Sequence, residues 1–486
     1  MTEASQKWQI ESRRHFLGRT LLFGLGCAHA PVPSSAASDS RPNFIVILCD
    51  NLGYGDIGCF GSALHKTPNI DRMAAEGMQF TDFYATSGVC TPSRASLMTG
   101  CYPRRVNMHV ADDGGAVLRP VSRKGLNPKE ITIAELLKAR GYATACIGKW
   151  HLGDQLPFLP RRQGFDYYFG IPYSDDMTQR PGRDWPPLPL MENEKVIEAP
   201  VDRNLLTKRY TAKAIEFITA NSNRPFFVYL PQAMPGSTRS PFASERFRGR
   251  SGNGPWGDSV EELDFSTGEI LRTLKQLGLD ERTLVVWASD NGAPRRNPPQ
   301  GLNLPLAGWG YTTAEGGQRV PCIMRWPGRI AAGRTSAGLC SMMDLLPTFA
   351  RLAGAEIPND RIIDGHDILS LMTGVAGARS PYEAFYYYYM AQLQAVRSGR
   401  WKLQLPLQAK WQNFSGRTST SAAELYDLKA DIGEKRNLAS EHPDVVMRLL
   451  NLAEKARADL GDIDRPGKNQ RPAGFVADPT PRRLSQ

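Results

Sequence analysis

The chain is poor in histidine. It has seven in 486 residues, and none between His151 and His366. Its eight cysteines include no C-x-x-C pair, and eight in so long a chain do not make a disulfide scaffold, so no pairing is assigned. No apolar run is long enough to cross a bilayer as a helix. Internal repeats, long low-complexity tracts and RNA- or DNA-binding motifs are also missing. A transmembrane span in the mature chain and a nucleic-acid partner are therefore not expected.

What remains is an ordinary globular balance, 41% hydrophobic and 22% charged, in a length that suits two or three domains' worth of core. The net charge is +10, and about +9 without residues 1–40, which carry four basic and three acidic residues. This reads as solvated surface charge, with attraction of anionic substrates as the alternative. The first forty residues read as an export signal and linker. Ser12-Arg13-Arg14-His15-Phe16-Leu17 resembles a twin-arginine motif, followed by a short apolar run, Leu21 to Cys27, and small residues around Ala37. Export to a periplasmic or extracellular location is the expectation, with lipid anchoring at Cys27 as a lesser alternative.

From Asn43 the pattern changes. Phe44 to Cys49 is a continuous apolar run, as expected of a strand buried on both faces. It ends in Asp50-Asn51-Leu52-Gly53-Tyr54-Gly55-Asp56, and open α/β sheets place their sites at such strand ends. Pro68 opens a helix with Ile70, Met73 and Ala74 on one face. Helices are predicted over 131–141 and 207–221, and from Gly257, whose acidic residues suit a first turn. Strands are predicted over 143–147, 225–230 and 284–288, and an irregular insertion over 171–200. Alternating strands and helices suggest a mainly parallel sheet. Beyond Gly374, short antiparallel strands and a helix over 443–460 suggest a smaller α+β unit. The expected division is 1–40, 41–373 and 374–486, with a polar, Pro-rich tail from Asp464.

The most reactive-looking stretch is Cys90-Thr91-Pro92-Ser93-Arg94-Ala95-Ser96-Leu97-Met98-Thr99-Gly100. If a helix starts at Cys90, Arg94 lies one turn on, and its guanidinium reaches whatever the Cys90 side chain carries. A guanidinium suits tetrahedral oxyanions and lowers a thiol pKa. Gly148-Lys149-Trp150-His151-Leu152-Gly153 follows a strand and offers a point charge and a base. Ser289-Asp290-Asn291-Gly292 ends another strand. Two strand ends with an Asp-Asn pair each make an oxygen site that suits calcium or magnesium better than zinc.

These stretches resemble the sulfatase family, in family order, from about Asn43 to Leu460. The Cys90 stretch is similar to its C-x-P-S-R…L-x-T-G signature, and residues 148–153 to its G-K-W-H-L-G. The resemblance implies an alkaline-phosphatase-like fold: a mainly parallel central sheet flanked by helices, and a small C-terminal subdomain with a short antiparallel sheet. It implies hydrolysis of an aryl or carbohydrate sulfate ester. It further implies that a formylglycine-generating or sulfatase-maturing enzyme converts Cys90 to formylglycine, the nucleophile. Arg94 and Lys149 would hold oxyanions, His151 would act as a base, and Asp50, Asn51, Asp290 and Asn291 would bind Ca2+, or Mg2+.

The chain departs from the family pattern in three places. Asn51 stands where the family has a second aspartate, Gly236 where it has a histidine credited with protonating the leaving alcohol, and Gly310 where it has a lysine. Trp309 or Tyr311 is a candidate to fill the lysine's space, and Arg295 or Arg296 to replace its charge. His109 reads as structural. The alternatives are a phosphoester hydrolase on the same scaffold, a non-catalytic binder of sulfated glycans, and an unmodified Cys90 acting as thiolate.

Overall fold

The computed structural model describes residues 41–297, 299–407 and 422–484. The export reading of residues 1–40, with its twin-arginine motif and Cys27, lies outside them. The central strand is β1 (Asn43–Asp50), and all eight residues are buried. Its side chains alternate between two cores. Phe44, Val46 and Leu48 join one apolar cluster, and Ile45, Ile47 and Cys49 the other. The run reads as continuous because neither face of this strand is wet.

Ten further strands complete the sheet: β2 (Met78–Tyr84), β3 (Ala143–Ile147), β4 (Tyr167–Gly170), β5 (Leu190–Glu192), β6 (Lys195–Glu198), β7 (Phe226–Pro235), β8 (Thr283–Ser289), β9 (Arg319–Arg325), β10 (Arg334–Ser336) and β11 (Cys340–Ser341). The order is β10-β2-β9-β8-β1-β7-β3-β4-β5-β6, with β11 also on β2. The middle strands β8, β1, β7, β3 and β4 are parallel, and β9 and β5 join them antiparallel.

Helices cover both faces. On one, α2 (Cys90–Thr99), α3 (Ile133–Ala139) and α6 (Leu345–Ala353) bury their apolar residues with Phe44. On the other, α1 (Pro68–Ala75), α4 (Leu206–Ala220) and α5 (Gly254–Gln276) pack with Ile45. Glu135 and Thr132 form a capping box that starts α3.

Two local expectations are corrected. Helix α5 begins at Gly254, so its acidic residues lie past the first turn. Asp258 instead accepts from the backbone N–H groups of Gly249, Arg250 and Ser251 in the preceding loop. The stretch 171–200 is not wholly irregular either, since β5 and β6 form a hairpin in it.

A second sheet, β12 (Phe385–Tyr389), β13 (Gln392–Ser398), β14 (Trp401–Gln404) and β15 (Glu424–Asp427), is antiparallel in that order. Helix α7 (Pro443–Leu460) covers it with Leu449, Leu452, Ala453, Ala456 and Leu460. Tyr84, Tyr102 and Met343, from the larger sheet's side, share this core. The tail wraps back: Gly474–Phe475 pairs with Lys124–Gly125, and Arg471 binds Glu130 at 2.8 Å. The seven described cysteines are all free.

Candidate active site

Parallel strands deliver their carboxyl ends to one edge of the sheet, and the site is built there. Asp50 ends β1, and Asn51 follows it with a φ of 60°. Asp290 and Asn291 follow β8, the neighbour of β1. Lys149 follows β3, and its backbone N–H is tied to Pro231 of β7 at 2.8 Å. Helix α2 begins at Cys90, as the spacing predicts, so Arg94 lies one turn inside it.

Arg94 joins the three strand ends. Its Nε donates to Asp290 Oδ2 at 3.0 Å, Nη2 to Asp50 Oδ1 at 2.9 Å, and Nη1 to the Lys149 carbonyl at 2.7 Å. Lys149 Nζ donates to Asp50 Oδ1 at 2.7 Å and to Ser174 Oγ at 3.1 Å, and lies 3.3 Å from Cys90 Sγ. Cys90 Sγ is also 3.7 Å from Asn51 Oδ1. All these side chains are buried. The structure thus brings Cys90, Arg94, Lys149, Asp50, Asn51, Asp290 and Asn291 together.

Two carboxylates face two cations, which removes the net charge that would make such burial costly. Burial alone would raise the Asp50 pKa, but Lys149 and Arg94 outweigh it and hold Asp50 well below the usual carboxylate range. Asp290 is raised, first by burial and then by the neighbouring Asp50. The Cys90 thiol is also pushed well up, by burial first and then by Asp50. Arg94 and Lys149 do pull this thiol down, as expected of neighbouring cations, but burial and Asp50 outweigh them.

His151 has a φ of 62°, and its Nε2 lies 2.9 Å from the Leu118 carbonyl. A carbonyl only accepts, so Nε2 carries the proton and Nδ1 is a bare lone pair. Nδ1 is buried with no partner. Burial, then Lys149 and Arg94, hold the imidazole well below its ordinary pKa and therefore neutral. His109 instead contacts Arg104 at 2.9 Å, and Arg104 binds the Leu460 carbonyl, so it is structural.

Two of the departures from the family pattern, Gly310 and Gly236, sit at close approaches in the fold. A Cβ at Gly310 would lie 2.1 Å from the Gly292 carbonyl oxygen, which leaves no path for a lysine. Tyr311, with a φ of 68°, places its hydroxyl 3.2 Å from Ser237 Oγ and 3.4 Å from Asn51 Nδ2. The Trp309 carbonyl accepts from the Thr312 hydroxyl at 2.6 Å. Arg295 is exposed, and Arg296 donates to the Ser237 and Thr238 carbonyls on the rim of a cavity of about 310 Å³. At Gly236 the φ is 75°, and a Cβ would lie 2.8 Å from Asp175 Oδ1.

Sequence reasoning missed Ser174, Asp175 and Ser237, whereas Tyr311 was one of its candidates. The signal for the first two was Tyr173-Ser174-Asp175-Asp176, a polar cluster soon after the Lys149 strand inside a stretch taken for irregular. Ser237 had no signal of its own.

The donors suit a hard cation. Ligand atoms of Asp50, Cys90 and Asp290 lie within 4.8 Å of one another. Asn291 Oδ1 is buried with no partner, and Asn51 Oδ1 accepts from Asn291 Nδ2 at 2.6 Å. Carboxylate and amide oxygens are calcium and magnesium ligands.

A family model described as Sulfatase matches residues 42–355, and one described as N-sulphoglucosamine sulphohydrolase, C-terminal, matches residues 312–458. The chain belongs to the sulfatase family. Arylsulfatase A of Homo sapiens is 39% identical over 85% of this chain and 87% of its own length. N-acetylgalactosamine-6-sulfatase of Canis lupus familiaris is 36% identical over 93% of this chain and 92% of its own. A solved structure from work on the metabolism of multiple glycosaminoglycans by Bacteroides thetaiotaomicron superposes with a TM-score of 0.75, at 29% identity, covering 86% of this chain and all of that one. The enzyme is a sulfuric ester hydrolase. Among the described residues, no helix is long and apolar enough to cross a membrane.

Proposed function

We propose that this sulfatase cleaves an aryl or carbohydrate sulfate ester by passing the sulfuryl group to a nucleophile at position 90. The single observation that carries this is the convergence on Cys90 Sγ of Lys149, 3.3 Å away, itself bonded to Asp50, with Arg94 one helical turn on. Formylglycine made from Cys90 by a maturing enzyme would supply a hydrated aldehyde as that nucleophile. Asp50, Asn51, Asp290 and Asn291 would hold Ca2+, or Mg2+, which supplies positive charge to the sulfate oxygens when bound.

The chain's own residues do the rest. Lys149 and Arg94 are fixed cations that hold the ester's oxyanions and offset charge that develops on them. Fixing them in advance, by Asp50, Asp290 and the Lys149 carbonyl, removes reorganisation from the reaction. His151 Nδ1 is a neutral acceptor in a dry pocket and takes a hydroxyl proton. The names of the relatives above support aryl and carbohydrate sulfates as the substrate class. Export through residues 1–40 and a division of the folded chain at Gly374 complete the proposal.

The test is the mass of the tryptic peptide Met73–Arg94, from protein made in its own cell type. Conversion of thiol to aldehyde makes it lighter by about 18 Da. An unmodified thiol in protein from cells able to make formylglycine sinks the proposal. A second expectation concerns the cation. Asn51→Asp adds a full charge to the oxygen set, and calcium affinity, read by calorimetry on the unmodified protein, rises about tenfold. Unchanged affinity removes Asn51 from the ligand set.

A further inference from the structure

An alcohol leaves a sulfate ester as an alkoxide unless something protonates it. The groups described so far do not offer that proton. Lys149 and Arg94 are tied to Asp50, His151 presents a bare lone pair, and position 90 is the nucleophile. The polar residue that follows Ser174 fills this gap.

Asp175 is fully buried, and neither carboxyl oxygen has a hydrogen-bond partner. A buried carboxyl without partners is rare, because its desolvation is then uncompensated. It sits beside the nucleophile's own support. Ser174 Oγ accepts from Lys149 Nζ at 3.1 Å, and Lys149 Nζ is 3.3 Å from Cys90 Sγ. On its other side, Asp175 Oδ1 occupies the space of any side chain at Gly236, whose N–H donates to the Asp50 carbonyl at 3.0 Å. The unpartnered carboxyl thus lies between Ser174, which supports Lys149, and Gly236, which is tied to Asp50.

We propose that Asp175 is the acid that protonates the leaving oxygen of the sulfate ester. This rests on the sulfatase reading above. As the nucleophile's oxygen bonds to sulfur, the bond from sulfur to the bridging oxygen breaks. The electron pair of that bond stays on the oxygen and takes the Asp175 proton. The alcohol departs, Asp175 is left as a carboxylate, and water reprotonates it once the alcohol has gone. The attacking hydroxyl's proton goes to the base at the site.

The charges around Asp175 agree. Burial first, then Asp176 beside it, raise its pKa to about 8 against the pull of Lys149 and Arg203, with Asp50 adding to the rise. Tyr210 of α4 faces it too. An acid with such a pKa is loaded at neutral pH and empties as the pH rises through about 8.

The test uses matured enzyme with position 90 verified as converted, a nitrophenyl sulfate and an unactivated sugar sulfate. Wild type loses sugar-sulfate turnover on the basic side of its pH profile but keeps nitrophenyl-sulfate turnover there. Asp175→Asn, close in shape, loses about 10²–10⁴-fold on the sugar sulfate and far less on the nitrophenyl ester. Difference infrared spectroscopy of the unmodified protein gives a readout apart from activity: the wild-type minus Asp175→Asn spectrum at neutral pH carries the carbonyl stretch of a protonated carboxylic acid. Equal losses on both substrates, or no such band, overturn the role of Asp175 alone. Failure of the converted wild type on both esters overturns the sulfatase mechanism, and this proposal with it.

Discussion

Cys90→Ala loses sulfate-ester turnover by about 10⁶-fold, while the protein keeps its fold and still binds its substrate. The size follows from the role: removing a nucleophile leaves only the binding and electrostatic part of catalysis. The intact fold follows from the surroundings. Lys149 keeps Asp50 and Ser174 as partners when the thiol goes, so no buried charge is orphaned. Alanine also suits the first position of α2, where Cys90 makes no cap. The stability cost is that of one small buried side chain, about 1 kcal/mol. Steady-state kinetics, a thermal melt and calorimetric binding of the substrate check the three parts. Residual turnover above about one part in a hundred of wild type rules out a nucleophile at position 90.

The same local chemistry explains what could be read in advance. Strand β1 was legible because both its faces are buried, which turns alternation into a run. The Cys90 helix was legible because Pro92 suits its first turn and Gly100 ends it, and a helical start fixes Arg94 one turn away. The strand-end pairs Asp50-Asn51 and Asp290-Asn291 were legible because polar residues after apolar runs are rare unless they serve a site. What was not legible is what neighbouring loops do to each other. Gly310 looks like a lost lysine in the sequence. In the fold it is a close approach of two backbones, and the next residue, Tyr311, turns its hydroxyl toward Asn51. Gly236 looks like a lost acid, yet a carboxyl from 61 positions earlier fills its space. The net shift at Cys90 was hidden for a related reason. Arg94 was visible in the sequence, but the depth of burial and the closeness of Asp50 were not.

The second large expected effect, at Glu315, is on stability. Its carboxylate is fully buried between the two sheets. Lys402 of β14 donates to it at 3.0 Å, Tyr387 of β12 at 2.8 Å, and Tyr84 of β2 at 2.5 Å. Arg319 lies 3.6 Å away. Glu315→Gln removes the charge and keeps the shape. Lys402 retains Glu434 at 3.0 Å, and Arg319 retains Asp82 at 2.8 Å, but the cluster is left with excess positive charge in a dry core. Breaking a buried pair in this way costs about 3–5 kcal/mol. The pH dependence separates this from ordinary packing loss. Burial would raise the Glu315 pKa, but Lys402, Arg397 and Arg319 outweigh it and lower it from 4.5 to about 2. A depressed carboxylate stabilises the fold above its unfolded pKa, and that contribution fades as the pH falls through the folded value. Wild type therefore loses stability between about pH 4.5 and 2 that Glu315→Gln, already lacking it, does not lose. Urea unfolding of both proteins across that range measures the difference. Parallel curves would mean that Glu315 titrates alike in the folded and unfolded states, so that its charge makes no net contribution to joining the sheets.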